Sequence, residues 1–135
     1  MANKAPKSVS ISDAIKRYLD AVKLSRSPHT MLAYRNAMQI FSEVLREKSL
    51  EPETTPIEKV SEDLITPLAG YLKSYANATE QLYLQAVKGF YLYIDSERLA
   101  EINQSRVVVL IKQRSRRPGI RFPQFPLEDI EALIT

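Results

Sequence analysis

The sequence has no cysteine, a single histidine and only three glycines in 135 residues. Without cysteine there is no disulfide framework, no thiolate metal site and no thiol nucleophile. His29 alone cannot form a histidine cluster. Gly70, Gly89 and Gly119 stand too far apart to build a phosphate-cradling loop. The longest strictly aliphatic run, Val107 to Ile111, is five residues, far short of the ~20 that span a bilayer. The N-terminus lacks the apolar core of a signal peptide. These absences leave a cytoplasmic domain expected to bind rather than to catalyse, with no metal, cofactor, membrane or small-molecule substrate.

What is present is enough apolar material for a core, 44% of residues, and an uneven distribution of charge. The net charge is only +3, but residues 1–42 hold seven basic and two acidic side chains, and residues 43–63 hold three and seven. Residues 64–101 are close to neutral. Residues 102–127 carry six basic side chains and no acid, and the last eight residues carry three acids. Two basic blocks separated by an acidic loop are the electrostatic footprint of a polyanion partner. A solvated surface with chance clustering is the plainer reading, and it is weakest for 102–127.

The apolar periodicity is helical throughout, and no alternating strand pattern occurs. Residues 1–9 read as a polar tail. Ser10 to Asp13 has the form of a capping box, and Ile11, Ile15, Tyr18, Leu19 and Val22 predict a first helix over 11–24. Ser27 and Pro28 suit the cap and first position of a second helix over 28–48, with Tyr34, Ala37, Met38, Phe41, Val44 and Leu45 inward. A third, less regular helix follows Ser61, with Thr66 a candidate cap before Pro67. Asn77 to Glu80 signals a fourth helix reaching 97, with Leu82, Tyr83, Ala86, Val87, Phe90, Tyr91 and Ile94 inward. A short fifth helix is expected over 105–112, its valines weakening the pattern. The domain is thus expected over 10–112, followed by a basic linker, 113–125, and the start of a further helix, 126–135.

Two features go beyond helix prediction. Thr30–Phe41 and Thr79–Phe90 both read T-x3-Y-x2-A-x3-F at an offset of 49 residues, a pattern that amphipathic helices also reach by convergence. Opposite the apolar stripes, Arg35, Gln39, Ser42 and Arg46 line one flank of the second helix, and Gln81, Gln85 and Lys88 line the fourth. Arg, Gln and Lys are side chains that reach base edges and hold phosphates, and they are also ordinary helix-surface residues.

Ser27, Thr30, Tyr34 and Phe41, in the pattern S-x2-T-x3-Y-x6-F, resemble the second helix of the N-terminal core-binding domain of tyrosine recombinases, the phage-integrase family. Ala86–Ile94 is similar to the family's fourth helix. Glu97–Asn103 matches its following turn, though Gln104 replaces the usual proline. Phe122–Leu133 is similar to the linker and the first catalytic-domain helix. The resemblance spans about residues 10 to 134.

It implies an all-α, SAM-like bundle of four to five helices made of two crossed helix hairpins. In the family, this domain and a catalytic domain close around double-stranded DNA as a clamp, and protomers assemble on it. The carried-over DNA-binding positions are Ser27, Thr30, Arg35, Gln39, Gln81, Gln85 and Lys88, with Arg114, Arg116 and Arg117 in the linker. Where the family often has an arginine early in the fourth helix, this chain offers Leu82 or Leu84. The chain shows no H-x-x-R or downstream tyrosine motif, so the resemblance implies binding without cleavage. The competing reading is a stand-alone helical module for protein interaction or oligomerisation. Ser27 and Thr30 have the further, simpler role of helix capping.

Overall fold

A computed structural model describes residues 9–115. They form five α-helices, α1 (Ile11–Lys23), α2 (Pro28–Glu47), α3 (Ile65–Tyr71), α4 (Asn77–Ser96) and α5 (Gln104–Arg114), with short 3-10 turns around α3 and no named strand. The all-helical expectation holds. Residues 1–8 of the tail expected at 1–9, and the segment 116–135, lie outside the described residues.

The first two helices start where their caps predict. Ser10 Oγ accepts the amide of Asp13 at 3.0 Å, and Ser27 Oγ accepts that of Thr30 at 3.2 Å, with Pro28 at the first helical position. The next unpaired amides of α1 are satisfied from a distance: Ile11 N donates to Thr55 O (2.9 Å) and Ser12 N to Pro52 O (2.8 Å). The acidic connection after α2 thus closes the start of α1, supplying acceptors a helix N-terminus cannot find within itself. Val9, expected in the tail, joins this seam by accepting from Ile57 N at 2.8 Å.

The third segment differs from expectation. Ser61 caps a 3-10 turn, Glu62–Leu64, which runs directly into α3, so Thr66 is a helical residue and not a cap. Pro67 is tolerated because first-turn amides have no intrahelical acceptor to lose. At α4 the cap position falls on Ala76, with no side-chain bond, and Asn77 is already helical.

The inward face of α4 also departs from the predicted stripe. Leu84 and Glu80 are buried, whereas Leu82 is 42% exposed and Tyr83 half-buried. The reason is position: α4 is the central helix, touching α1, α2, α5 and the 3-10 turn Leu72–Ser74. A stripe read from one helix alone cannot place its edges when several neighbours pack against it. α5 runs two residues further than predicted. Asn103 caps it through the amide of Arg106 (3.0 Å), and Val107, Leu110 and Ile111 are buried. Gln113 and Arg114 are therefore helical residues rather than linker; packing of this face against α3 and α4 overrides the modest helix propensity of valine.

The 49-residue repeat is matched in three dimensions. Pro28 and Asn77, which begin α2 and α4, are 49 positions apart, as are Glu47 and Ser96, which end them; both helices have 20 residues. Both end through a left-handed residue, Ser49 (φ 63°) and Arg98 (φ 59°). The amides of Leu50 and Leu99 then return to the carbonyls of Leu45 and Ile94 at 2.9 and 2.8 Å, a Schellman-type ending. Equivalent positions also meet: the Phe41 and Phe90 rings, both fully buried, lie 5.9 Å apart at 66°. In the bundle α1 packs on α2, α2 on α4, and α3 on α5 and α2; the turn Leu72–Ser74 leads from α3 to α4, and α5 packs against both α3 and α4.

Tyr18 locks α1 onto this pair. Its ring sits 5.5 Å from that of Phe90 and 5.6 Å from that of Tyr93, and its hydroxyl donates to Ala86 O at 2.7 Å. The hydroxyl occupies the space where a side chain at Gly89 would begin: a Cβ there would stand 2.4 Å from it.

Candidate nucleic-acid interface

The residues singled out in the sequence fall into three groups. At the start of α2, Ser27 Oγ–H donates to Thr30 Oγ1 at 3.1 Å while accepting the Thr30 amide. The two hydroxyls form the helix cap, the simpler of the two roles. Further along, Arg35 is exposed beside Ser12, Ile15, Lys16, Leu19 and Lys23 of α1. Gln39 and Ser42 continue this open groove between α1 and α2, whose floor is Ile15, Leu19 and Met38.

Arg46, the last residue of that flank, is differently employed. Its guanidinium contacts Glu43, Glu51 and Glu53, each at 3.3 Å. Hydrogen bonding to Glu51, with the field of the neighbouring carboxylates, holds its already high pKa higher still. Three carboxylates on one guanidinium leave a local excess of negative charge, so this end of α2 repels a polyanion.

On α4, Gln81, Gln85 and Lys88 form one ridge by their three- and four-residue spacing. Gln85 is exposed and the other two half-buried; Leu92, 55% exposed, extends the ridge by one turn. This ridge and the Gln39 flank each lie on the side of their helix turned away from the Phe41–Phe90 contact. The structure therefore gathers Arg35 with Gln39, and Gln81 with Gln85 and Lys88, as two sets on two helices. Among the described residues, Lys23, Arg35 and Lys88 make no ion pair, in contrast to Arg46, Lys73 and Arg106.

The third group is at the end of α5. Arg114 Nε donates to Thr66 Oγ1 at 3.1 Å, and its carbonyl accepts from Lys73 Nζ at 2.6 Å. Arg116 and Arg117 lie outside the described residues.

Wheel reasoning missed the cations that α1 contributes. Lys16 and Lys23 share the groove of Arg35, and Arg26 lies with Ser25, Leu92 and Ser96 in a second open groove between α1 and α4. The charge count over residues 1–42 contained them; a helix-by-helix wheel cannot see neighbours on another helix. Of the two candidate family positions early in α4, Leu82 reaches the surface and Leu84 is buried.

Burial raises the pKa of the phenols of Tyr18 and Tyr91 far above the ordinary range, and both hydroxyls donate to backbone carbonyls, that of Tyr91 to Ser61 O at 2.6 Å. Among the described residues, no group of three or more His, Asp or Glu side chains gathers to hold a metal ion. No helix there is long and apolar enough to cross a membrane.

No protein-family model and no curated protein sequence matches the chain. Among solved structures, it is similar to the N-terminal domain of a phage integrase/site-specific recombinase from Haloarcula marismortui. The TM-score is 0.64 at 16% sequence identity, over 76% of this chain and 97% of that one. At this identity the likeness is one of fold: the chain has the architecture of an integrase N-terminal domain.

Proposed function

We propose that this chain binds double-stranded DNA as the N-terminal half of the clamp of a site-specific tyrosine recombinase, with little sequence discrimination and no cleavage of its own. The observation that carries the reading is the fold, which spans nearly the whole of a recombinase N-terminal domain. The surface cations support it, Lys23, Arg35 and Lys88 without an ion pair among the described residues and Lys16 paired with Asp20 at 3.9 Å. Arg35 with Lys16 and Lys23, and Lys88 beside Gln81 and Gln85, supply the charge and hydrogen-bond donors that phosphates require, while the acids are concentrated around Arg46 and in the loop after it.

In this reading Arg35, Lys88 and Arg114, with Arg116 and Arg117, neutralise phosphates. Gln39, Gln81 and Gln85 fix the register against sugar, phosphate or base edges. The capped start of α2, with Ser27 and Thr30, offers backbone N–H groups to one phosphate. The other partners are further recombinase protomers on the same DNA, in the cytoplasm.

The test is binding of the chain to a duplex oligonucleotide across a salt series. Each neutralised phosphate adds about 0.9 to the slope of log affinity against log salt. Arg35→Ala should weaken binding and lower that slope by about one, whereas Arg46→Ala, which removes a charge already matched by carboxylates, should leave it unchanged. Absence of binding at low salt would refute the proposal and favour an interaction module.

A further inference from the structure

The second open groove, between α1 and α4, holds about 300 Å³. Its α4 wall is Gly89, Leu92, Tyr93 and Ser96, a three- and four-residue spacing that makes one stripe of the helix. At 100° per residue that stripe lies roughly 60° round the axis from Gln81, Gln85 and Lys88, and at 1.5 Å per residue about 12 Å further along it. Leu92 belongs to both, extending the ridge and walling the groove. A double helix resting on the ridge meets this groove next, at a displacement comparable to the ~12 Å width of a major groove.

The lining of the groove suits an anion. No carboxylate of the described residues lines it. Arg26, at its edge, makes no ion pair among the described residues. Its charge stands near enough to Tyr18 to oppose the rise in pKa that burial, and then Tyr34, produces there. Tyr34 and Tyr93 line the groove as well, both half-buried. Their rings pack on Tyr18 at 6.3 and 5.6 Å between centroids. Neither hydroxyl has a hydrogen-bond partner among the described residues, unlike that of Tyr18, which donates to Ala86 O. Burial, and after it Glu97, raises the pKa of Tyr93, with Arg17 opposing and Asp20 adding, so this phenol keeps its proton and can donate it. The hydroxyls of Ser25 and Ser96 are already employed, donating to Val22 O at 3.5 Å and Tyr93 O at 3.1 Å. The uncommitted donors are thus one guanidinium and two phenols, set beside the apolar surface of Val22 and Leu92.

We propose that this groove holds a phosphodiester of the duplex strand that borders the α4 ridge. Arg26 pairs with the phosphate, the hydroxyls of Tyr34 and Tyr93 donate to its oxygens, and Leu92 packs on the adjoining deoxyribose. This rests on the duplex-binding reading and adds to it a contact that the outer flanks of α2 and α4 do not supply. Arginine and tyrosine both donate to phosphates, and a backbone contact fixes position without reading sequence, in keeping with weak discrimination. Arg26 comes from the α1–α2 connection, Tyr34 from α2 and Tyr93 from α4, so one phosphate ties three segments together.

The test is duplex binding across the salt series by Arg26→Ala, and by Tyr34→Phe with Tyr93→Phe. Arg26→Ala should lower the slope of log affinity against log salt by about one, as one phosphate loses its cation. The phenylalanine pair removes no charge, so its slope should stay unchanged while its affinity falls about fivefold or more, at roughly two- to tenfold for each hydrogen bond. Neither hydroxyl bonds within the fold, so thermal unfolding of that variant should match the unaltered chain, which separates a lost contact from a damaged core. A slope unchanged by Arg26→Ala, or an affinity unchanged in the phenylalanine pair, would overturn the subsite while leaving duplex binding intact. Failure of the unaltered chain to bind at low salt would instead overturn the duplex reading, and the subsite with it.

Discussion

Adding a single methyl group at Gly89 should destabilise this domain although alanine is the better helix former. In an open helix interior the change from glycine gains about 1 kcal/mol. At Gly89 the new Cβ would lie 2.4 Å from the Tyr18 hydroxyl and 3.4 Å from its Cζ. Moving the ring would disturb its contacts with Tyr34, Phe90 and Tyr93, at 5.5–6.3 Å between centroids. Overpacking of this kind costs about 1–3 kcal/mol, and displacing the hydroxyl from Ala86 O leaves a buried donor and acceptor unpaired for about 1–3 kcal/mol more. The net expectation is a loss of about 1–5 kcal/mol, read as a fall in Tm of roughly 4 °C for each kcal/mol in a domain of this size.

Two further variants make the reasoning refutable. Gly70, in α3, has nothing within 4 Å of its Cβ position, so Gly70→Ala should stabilise by about 0.5–1 kcal/mol. In a Tyr18→Phe background the nearest obstacle is gone, and Gly89→Ala should become nearly neutral. Thermal and urea unfolding followed by circular dichroism measures all four proteins. If Gly89→Ala stabilises as Gly70→Ala does, the account of Tyr18 as the lock between α1 and α4 is wrong.

Other expectations concern the helix ends and the phenols. Ser49 and Arg98 hold left-handed conformations at φ 63° and 59°, so Ser49→Gly and Arg98→Gly should each raise stability by about 0.5–1 kcal/mol; a loss in urea unfolding would show that their side chains contribute more than the strain costs. Tyr18 and Tyr91 have folded pKa values raised above the ordinary 10.0 by burial. A raised acid binds its proton more tightly in the folded state, so its contribution is whole below pH 10 and is lost as the pH climbs past it. In an alkaline titration, tyrosinate absorbance from these two should appear together with loss of helical signal, and ionisation ahead of unfolding would contradict their burial.

Much of this architecture was legible because it rests on local chemistry. Ser10, Ser27 and Pro28 announce two helix starts through their own hydrogen-bonding and backbone preferences. The inward face of α2 follows its apolar spacing, with Ala37, Met38, Phe41, Val44 and Leu45 all buried as the periodicity predicts. What escaped was set by distant neighbours. Glu80 is buried because Lys73 and α5 come to it, and Arg46 is engaged because Glu51 and Glu53 fold back from the following loop. Neither pairing has a sequence signal, since both depend on how a connection turns. The grouping of Lys16 and Lys23 with Arg35 likewise follows from the way α1 crosses α2. The 49-residue repeat was visible in the sequence but ambiguous there, because helical periodicity alone produces such spacings; matched lengths, endings and the contact of Phe41 with Phe90 resolve it.

That contact has a consequence for how the chain comes together. Each half contributes one phenylalanine to a pair that only the other half completes, so neither is a self-sufficient folding unit. A backbone severed between Pro52 and Pro56 would yield two pieces with mutually fitted oily surfaces, suited to reassociation as complementing fragments. The acidic connection supplies proximity and closes the first amides of α1, while specificity of reassembly resides in the aromatic seam.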